Sequence, residues 1–329
     1  MANIKFKRTM DIQLFATDSV IDRTGASALM PEDVSKDIIK GVPEASTIMQ
    51  LATKAPNMSR KQKRLPVLST LPTAYFVDGD TGLKQTTEQA WGNKYLNAEE
   101  LAVIVPIPEA VLDDTDYDIW GEVKPRIMEA FGIAFDKAVM FGTNAPASWP
   151  SDLLTAATAA SNVVTYGTNT DLYDDLLGED GAISLVEKDG FMVSGHAATM
   201  SMRGKYRGIR DANGQPLFKT SMQDSSRYEL DGSPLYFPRN GAMDASKALQ
   251  LTGDFKQVIY AMRQDVTYKI LDQAVIQDSA GDIVYNLAQQ DMIALRAVMR
   301  VAWQVPNPIN KLQPTEASRF PIAILIPAV

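Results

Sequence analysis

The stretch VLDDTDYDIWGEV carries four carboxylates within six positions, which are Asp113, Asp114, Asp116 and Asp118. Carboxylates at alternate positions can bind Ca²⁺, and an EF-hand-type loop then needs a glycine and, six residues after it, a glutamate. Asp114, Asp116 and Asp118 have the alternate spacing. However, Ile119 stands where the glycine should be, and Pro125 stands where the glutamate should be. The calcium-site interpretation therefore fails at two positions on which the geometry depends.

The residues after the aspartates have the pattern of an amphipathic helix. Apolar side chains recur at steps of three and four, at Val123, Ile127, Phe131, Ala134, Phe135, Ala138 and Val139. Asp116 or Asp118 is suited to cap the first turn, and the acidic cluster complements the positive end of the helix dipole. Gly142 is suited to end the helix. We therefore predict a helix over about residues 118 to 141 and interpret the aspartates as its start.

Few residues of the chain could form a catalytic centre. The sequence has one histidine, His196, and no cysteine, which disfavours a histidine-based triad or metal site and excludes thiolate chemistry. The motifs GxxxxGK[ST], GxGxxG, GxSxG and HExxH are absent. The 40 acidic residues leave a glycosidase-like carboxylate pair open, but no spacing singles one out. We predict no catalytic, cofactor-binding or metal-binding residues, no cofactor and no enzyme activity. We place His196 at the start of a helix, in a structural or surface role.

The composition is that of an ordinary globular protein with an excess of acidic residues. The 329 residues include 45% hydrophobic and 22% charged residues, and the formal net charge is −8. An acidic chain has no general basic field for nucleic acid, so we expect it to tolerate nearby DNA without binding it specifically. No apolar run has the form of a signal peptide or the length of a membrane span. The short apolar stretch FPIAILIPAV at the C-terminus predicts a buried strand.

The most unusual element is a long hairpin predicted over residues 60–91. The runs LPVL and TAYFV are β-prone, and the following DGDTG is typical of a turn. The segment has few apolar residues for its length, and an isolated two-stranded ribbon is marginally stable, so we expect it to lie on another molecule. Four basic residues stand near its base, namely Arg60, Lys61, Lys63 and Arg64. A solvated strand edge, a contact to an acidic neighbouring subunit and a nucleic-acid contact are the three interpretations of this cluster.

Strands and helices alternate along the rest of the chain. An extended arm over residues 1–30 and a short helix in MPEDVSKDIIKGV precede the hairpin, and the strand LAVIVPI follows it. Residues 143–170 have the composition of a boundary between subdomains. We then predict a helical DLYDDLLGEDGAISLVEKDG, a strand FMVSG, a helix HAATMSMRGKY and a turn at Asn213-Gly214. MIALRAVMRVAWQ predicts a strand of about 13 residues, which we place against the long helix.

The order of these elements resembles the major capsid proteins of tailed bacteriophages with the HK97 fold. TEQAWGNKYLNAEELAVIVPIPEAVLDDTDYDIW is similar to that family's passage from its extended loop into its spine helix, and EAFGIAFDKAVMFGT is similar to the spine helix itself. FMVSGHAATMSMRGKYRGIRDANGQPLF, LDGSPLYFPRNGAM, LTGDFKQVIYAMRQDVTYKIL and MIALRAVMRVAWQVPNP resemble its later segments. The resemblance covers residues 60–329 and implies an α+β chain with the HK97-like capsid fold.

The resemblance implies a division into five segments. Residues 1–56 would form an N-terminal arm and a short helix, and residues 57–98 an extended loop built on a β-hairpin. Residues 99–178 would form a peripheral domain with the spine helix at about 118–141, and residues 179–284 an axial α/β domain. Residues 285–329 would return as a strand of the peripheral domain and end in the C-terminal strand.

The resemblance also implies a function in assembly. The chain would associate with itself into hexamers and pentamers, and these into an icosahedral shell around double-stranded phage DNA. It would be located in the virion capsid after assembly in the host cytoplasm, with scaffold, portal and decoration proteins as candidate partners and no membrane. The residues before the hairpin are too few for the cleaved scaffolding segment of some relatives, so we expect a separate scaffold protein or none. The alternatives are an encapsulin-like nanocompartment shell, a carboxylate-dependent hydrolase and a monomeric binding module.

Overall fold

The computed structural model describes residues 46–77, 82–114, 118–169, 171–210, 228–278 and 280–328. The predicted N-terminal arm, the predicted helix in MPEDVSKDIIKGV and the predicted turn at Asn213-Gly214 lie outside these residues, as does most of the turn predicted in DGDTG. Among the helices of the described residues, none is both long and apolar enough to cross a lipid bilayer.

The described residues contain seven α-helices and fourteen strands, as the predicted α+β class requires. The helices are α1 (Thr47–Leu51), α2 (Glu109–Asp114), α3 (Ile119–Phe141), α4 (Leu153–Ala159), α5 (Leu172–Leu177), α6 (Ala182–Lys188) and α7 (Met200–Gly208). The strands are β1 (Thr53–Lys54), β2 (Gln62–Thr70), β3 (Ala90–Asn97), β4 (Glu99–Pro108), β5 (Val163–Thr165), β6 (Gly195–Ala198), β7 (Tyr228–Leu230), β8 (Ser233–Tyr236), β9 (Gln250–Gly253), β10 (Ile259–Leu271), β11 (Val275–Gln277), β12 (Ile283–Asn286), β13 (Met292–Gln304) and β14 (Ile322–Ile326).

The long helix predicted after the aspartates is present as α3. The Asp118 side chain caps it by accepting a 3.0 Å hydrogen bond from the Gly121 N–H. Gly142 ends it in the left-handed conformation, with φ of 64°, which an L side chain rarely adopts. The apolar positions predicted for the inner face include buried Ile127, Phe131, Phe135, Ala138 and Val139. The acidic start and the period of the apolar residues thus set both the position and the orientation of this helix.

A four-stranded sheet packs against α3 and has the strand order β1–β10–β13–β4. β13 has the 13 residues predicted for it and pairs antiparallel with both β10 and β4. One face of β13 contributes Leu295, Met299 and Trp303 to the core that also contains Phe131 and Phe135 of α3. Burying side chains of this size contributes about 1.5–3 kcal/mol each, so this helix–sheet contact is a main source of stability.

A six-stranded sheet has the order β5–β14–β9–β6–β8–β7. The buried C-terminal strand predicted from FPIAILIPAV is β14, which lies between β5 and β9. Because neighbouring side chains of a strand point to opposite faces, Ile322 and Ile324 enter the core of α3, whereas Ala323 and Leu325 enter a second core. The second core is built on α5, α6 and α7. β14 is therefore shared by the two cores.

Three local predictions are wrong. The run TAYFV forms no strand in the described residues, because β2 ends at Thr70 and Pro72 has no N–H for a ladder hydrogen bond. The strand predicted over FMVSG starts only at Gly195, whose partner Gly253 is the last residue of β9. Residues 191–194 therefore have no strand to pair with along β9, and β6 runs on into the predicted helix. His196 consequently lies in β6 and not at the start of a helix.

The five-segment division of the chain stays a prediction. Residues 143–169, predicted as a boundary, contain α4, which contributes to the core of α3, and β5, whose Val163 packs against that core and whose Val164 lies in the second core. β10 falls within the segment predicted as axial, yet it pairs along its length with β13 of the four-stranded sheet. The segment predicted to be continuous in sequence thus contributes strands to both sheets.

Candidate assembly surfaces

The ribbon formed by β2 and β3 is anchored to the four-stranded sheet by a small apolar cluster. The two strands pair antiparallel from Gln62 opposite Asn97 to Thr70 opposite Ala90. At the base, Leu65 and Leu96 pack with Met58, Ala98, Ala261 and Ala302, of which Ala261 and Ala302 lie on the sheet face opposite α3. The base of the ribbon is therefore part of the folded body of the subunit.

The residues beyond the paired strands, 71–77 and 82–89, are named here the loop tip. Their side chains include Phe76 and Leu83, which are 108% and 92% exposed, as well as exposed Tyr75 and Val77. Across the loop tip, the Thr73 N–H donates a 2.9 Å hydrogen bond to Thr87 Oγ1. Single exposed apolar side chains are common, but a group of large ones on one segment is typical of a protein–protein contact.

Polar contacts to the segment before α4 hold the junction between β3 and β4. Asn97 Nδ2 donates to the Ser148 carbonyl at 2.8 Å, and Trp149 Nε1 donates to the Asn97 carbonyl at 3.0 Å. Ser148 Oγ donates to Glu99 Oε1 at 2.7 Å, and this bond is the largest cause that holds the pKa of Glu99 below its ordinary value. Lys61, whose Nζ is 3.3 Å from Glu99 Oε1, acts in the same direction. Of the basic residues near the ribbon base, Lys61 thus pairs with a carboxylate of its own chain.

The carboxylate of Asp136 in α3 fixes the chain at the first described residues. Asp136 is fully buried and accepts hydrogen bonds from Ser46 Oγ at 2.5 Å, the Thr47 N–H at 2.8 Å and the Ile48 N–H at 3.2 Å. The first N–H groups of a helix have no partner within the helix, so Asp136 caps α1 from another helix. Gly132 permits this approach, because a Cβ there would lie 3.1 Å from the backbone nitrogen of Ser46. Ser46 is therefore held at a defined point on α3.

The hairpin β11–β12 is a two-stranded sheet of its own. Val275, Ile283, Val284 and Tyr285 of this hairpin are exposed. No hairpin was predicted over these residues. The available signal was two β-prone runs, VIQ and IVYN, on either side of DSAGD, whose Gly281 has φ of 91°. The described residues therefore have two separate groups of exposed apolar side chains, one on the loop tip and one on this hairpin.

His196 belongs to a buried polar network in the six-stranded sheet. Its Nε2 lies 3.1 Å from the Leu230 carbonyl, so Nε2 carries the proton, and its Nδ1 accepts from Thr252 Oγ1 at 3.0 Å. Gln250 Nε2 donates to Thr252 Oγ1 at 2.8 Å, and the Tyr206 hydroxyl donates to Gln250 Oε1. Burial lowers the pKa of His196 to about 4. These contacts account for the ring nitrogens, as the structural role predicted for this histidine requires.

We expect acid to weaken the subunit through His196. Its pKa is about 4 in the folded chain, compared with 6.5 for an unburied histidine, so the unfolded chain binds a proton first as pH falls. The stability that the neutral ring contributes is complete above pH 6.5 and is lost towards pH 4, by up to about 3 kcal/mol. Melting temperatures of the wild type and of His196→Gln, measured across this range, isolate the effect because other groups titrate in both. Equal slopes for the two proteins would contradict the prediction.

The structure separates the four aspartates of the sequence cluster. Asp113 and Asp114 are exposed at the end of α2, whereas Asp118 caps α3. Asp116 lies outside the described residues. No group of three or more acidic or histidine side chains in the described part of the chain could hold a metal ion. The cap is therefore the role that the structure assigns to Asp118, and Asp113 and Asp114 are not part of it.

The sequence is similar to a known protein family over most of its length. The model of the phage capsid family matches residues 26–313. The major capsid protein of Staphylococcus phage 80alpha is 29% identical over 298 residues, which cover 90% of this chain and 87% of that protein. The probable major capsid protein gp17 of Mycobacterium phage D29 is 24% identical over 288 residues, which cover 84% of this chain and 86% of that protein.

Solved structures have the same fold. A chain from Microbacterium phage Oxtober96 superposes with a TM-score of 0.81 at 36% sequence identity, covering 94% of this chain and 100% of its own. A chain from Mycobacterium phage Bobi superposes with a TM-score of 0.80 at 34% identity, with coverage of 94% and 100%. The likeness therefore extends over both sheets and is not confined to one element.

Proposed function

This chain belongs to the phage capsid family, and from that membership we propose that its copies assemble through hexamers and pentamers into a closed icosahedral shell around double-stranded phage DNA. The chain is a major capsid protein with the HK97-like fold, its place is the virion capsid, and it is a structural protein and not an enzyme. It associates with copies of itself. The encapsulin-like compartment, the hydrolase and the monomeric module have no support among its relatives.

The exposed side chains of the loop tip are the observation that best supports contacts between subunits in rings. Its large apolar side chains are exposed in the subunit. Their exposure to water is unfavourable, and burying them in a contact with another copy lowers the free energy. A contact between the loop tip of one copy and a different surface of the next is head-to-tail. Contacts of this kind close into rings when the rotation between neighbours allows it, which supports hexamers and pentamers.

We propose further that the DNA is enclosed without being bound specifically. The net charge of −8 supports this, because an acidic chain has no general attraction for phosphates. Assembly in the host cytoplasm is part of the proposal, and scaffold, portal and decoration proteins are its candidate partners. The five-segment division is kept in this proposal, with α3 as the spine helix of the peripheral domain.

The experiment that tests the proposal is assembly of the purified chain. We expect negative-stain electron microscopy and native mass spectrometry to detect closed particles together with five- and sixfold oligomers. The chain alone is compared with the chain mixed with the other structural proteins of its virus, because a scaffold protein could be required. A subunit that stays monomeric at high concentration in both preparations, with its loop tip protected from proteolysis, would overturn the proposal.

A further inference from the structure

Two basic side chains face each other on the side of the four-stranded sheet opposite α3. Lys269 of β10 and Arg296 of β13 are directly opposite in the antiparallel register, and both are exposed. Side chains in such pairs lie close together, and like charges in them destabilise a sheet. Within the described part of the chain, neither side chain forms an ion pair or a hydrogen bond. The described residues therefore leave this charge repulsion without a compensating carboxylate.

The two side chains border a groove of about 500 Å³. The groove continues past Thr267 and Val298 to Arg300, which already forms a 2.7 Å ion pair with Glu100. The groove at Lys269 and Arg296 therefore carries two unneutralised positive charges, in a chain whose formal net charge is −8. We name the surface formed by Lys269 and Arg296 the basic groove. Its positive charge favours binding of an anionic partner.

The same chain has an acidic surface that forms no ion pair with the part of the chain that the structure describes. Asp113 and Asp114 are exposed at the end of α2, and within the described residues neither forms an ion pair. Within the described residues neither carboxylate pairs with Lys269 or Arg296. Arg296 lies opposite Ile104, and four residues of strand, or roughly 13 Å along β4, separate Ile104 from Pro108, after which α2 begins.

We propose that Asp113 and Asp114 of one subunit bind the basic groove of a second copy of this chain. The inference rests on the proposed self-assembly and names one of its contacts. Two carboxylates meet two cations, so the charges match in number and sign. Each copy carries both halves at different places, which makes the contact head-to-tail and able to close a ring. Complementary charge of this kind also selects the partner and its register.

A charge-reversal series on the full chain tests the contact. Lys269→Glu with Arg296→Glu reverses the groove, and Asp113→Lys with Asp114→Lys reverses the acidic surface. Each pair alone is expected to lower the yield of closed shells by about tenfold or more, and the four changes together are expected to restore it to within about threefold of the wild type. Both pairs should fold, because lysines favour a helix C-terminus and the reversed groove only exchanges one like-charge pair for another. Circular dichroism melting of each variant checks this.

The matched control is Lys54→Glu with Lys256→Glu, which changes the net charge equally at other exposed lysines and should leave the yield unchanged. Failure of the four-change variant to recover, or normal assembly of both reversed pairs, overturns the contact. If the variant with the reversed groove loses encapsidated DNA and the variant with the reversed acidic surface does not, the groove binds nucleic acid, and the proposed contact is also overturned. Shell formation by the wild type is scored separately, so failure of the contact is distinguishable from failure of the proposed function.

Discussion

Removal of the loop tip is expected to abolish closed shells while the subunit stays folded. The variant replaces residues 71–89 with Asn-Gly, so that Thr70 and Ala90, which already pair, are joined by a two-residue turn. The apolar cluster at the ribbon base, with Leu65 and Leu96, is kept. The subunit then loses the exposed apolar side chains of the loop tip. Electron microscopy and sedimentation should detect unassembled subunits, and circular dichroism should detect a cooperative melt near that of the wild type.

A milder variant identifies the apolar side chains as the cause. Phe76→Ser with Leu83→Ser keeps the loop length and removes two of its most exposed apolar groups. Burial of such groups contributes about 1.5–3 kcal/mol each, so every subunit contact would lose about 3 kcal/mol or more. Met192→Ser with Leu312→Ser removes groups that are 77% and 74% exposed elsewhere, and is the matched control. Shells that form normally without the loop tip would mean that the ribbon does not join subunits.

The elements that the sequence predicts well are those whose signal is local. The apolar period of α3, its acidic cap and Gly142 lie within one segment and agree with one another. β13 and β14 are similar cases, because a long alternating run and a short apolar run bounded by prolines leave few other arrangements. In each of these elements the apolar residues that define the sequence pattern are also the residues that are buried. The element can therefore be recognised without knowing its distant partner.

The elements that the sequence predicts poorly depend on a distant partner. Whether FMVSG or the residues after it pair as a strand depends on where β9 ends, more than fifty positions later. The role of His196 depends on Thr252 and Leu230, which lie on other strands. The loop tip, by contrast, was expected to need another molecule, and its exposed side chains follow from the few apolar residues nearby. The few apolar residues of a segment thus predict its exposure more readily than the sequence predicts which distant residues a buried segment contacts.

Among the acidic side chains of α3, we expect the removal of Asp136 to destabilise the subunit most. Asp136→Ala leaves the Thr47 and Ile48 N–H groups, in buried residues, without their acceptor and deprives Ser46 Oγ of its partner. Unsatisfied buried donors cost about 1–3 kcal/mol each, so the loss should be about 3 kcal/mol or more. This corresponds to a fall in the melting temperature of about 5 °C or more for a chain of this size.

The control for this prediction lies seven residues earlier in the same helix. Glu129 forms a 2.8 Å ion pair with Arg126 at the surface, and such pairs contribute about 0.5 kcal/mol or less, so Glu129→Ala should hardly change the melting temperature. The melting temperature of Asp136→Asn should lie between those of the two alanine variants. The amide oxygen still accepts hydrogen bonds, but the amide N–H groups replace the oxygen that accepts from the Thr47 N–H. The melts are best measured in the variant without the loop tip, where assembly adds no stability. Equal melting temperatures for Asp136→Ala and Glu129→Ala would show that α1 is held by its apolar contacts, with Ile48 in the core of α3, and not by the carboxylate.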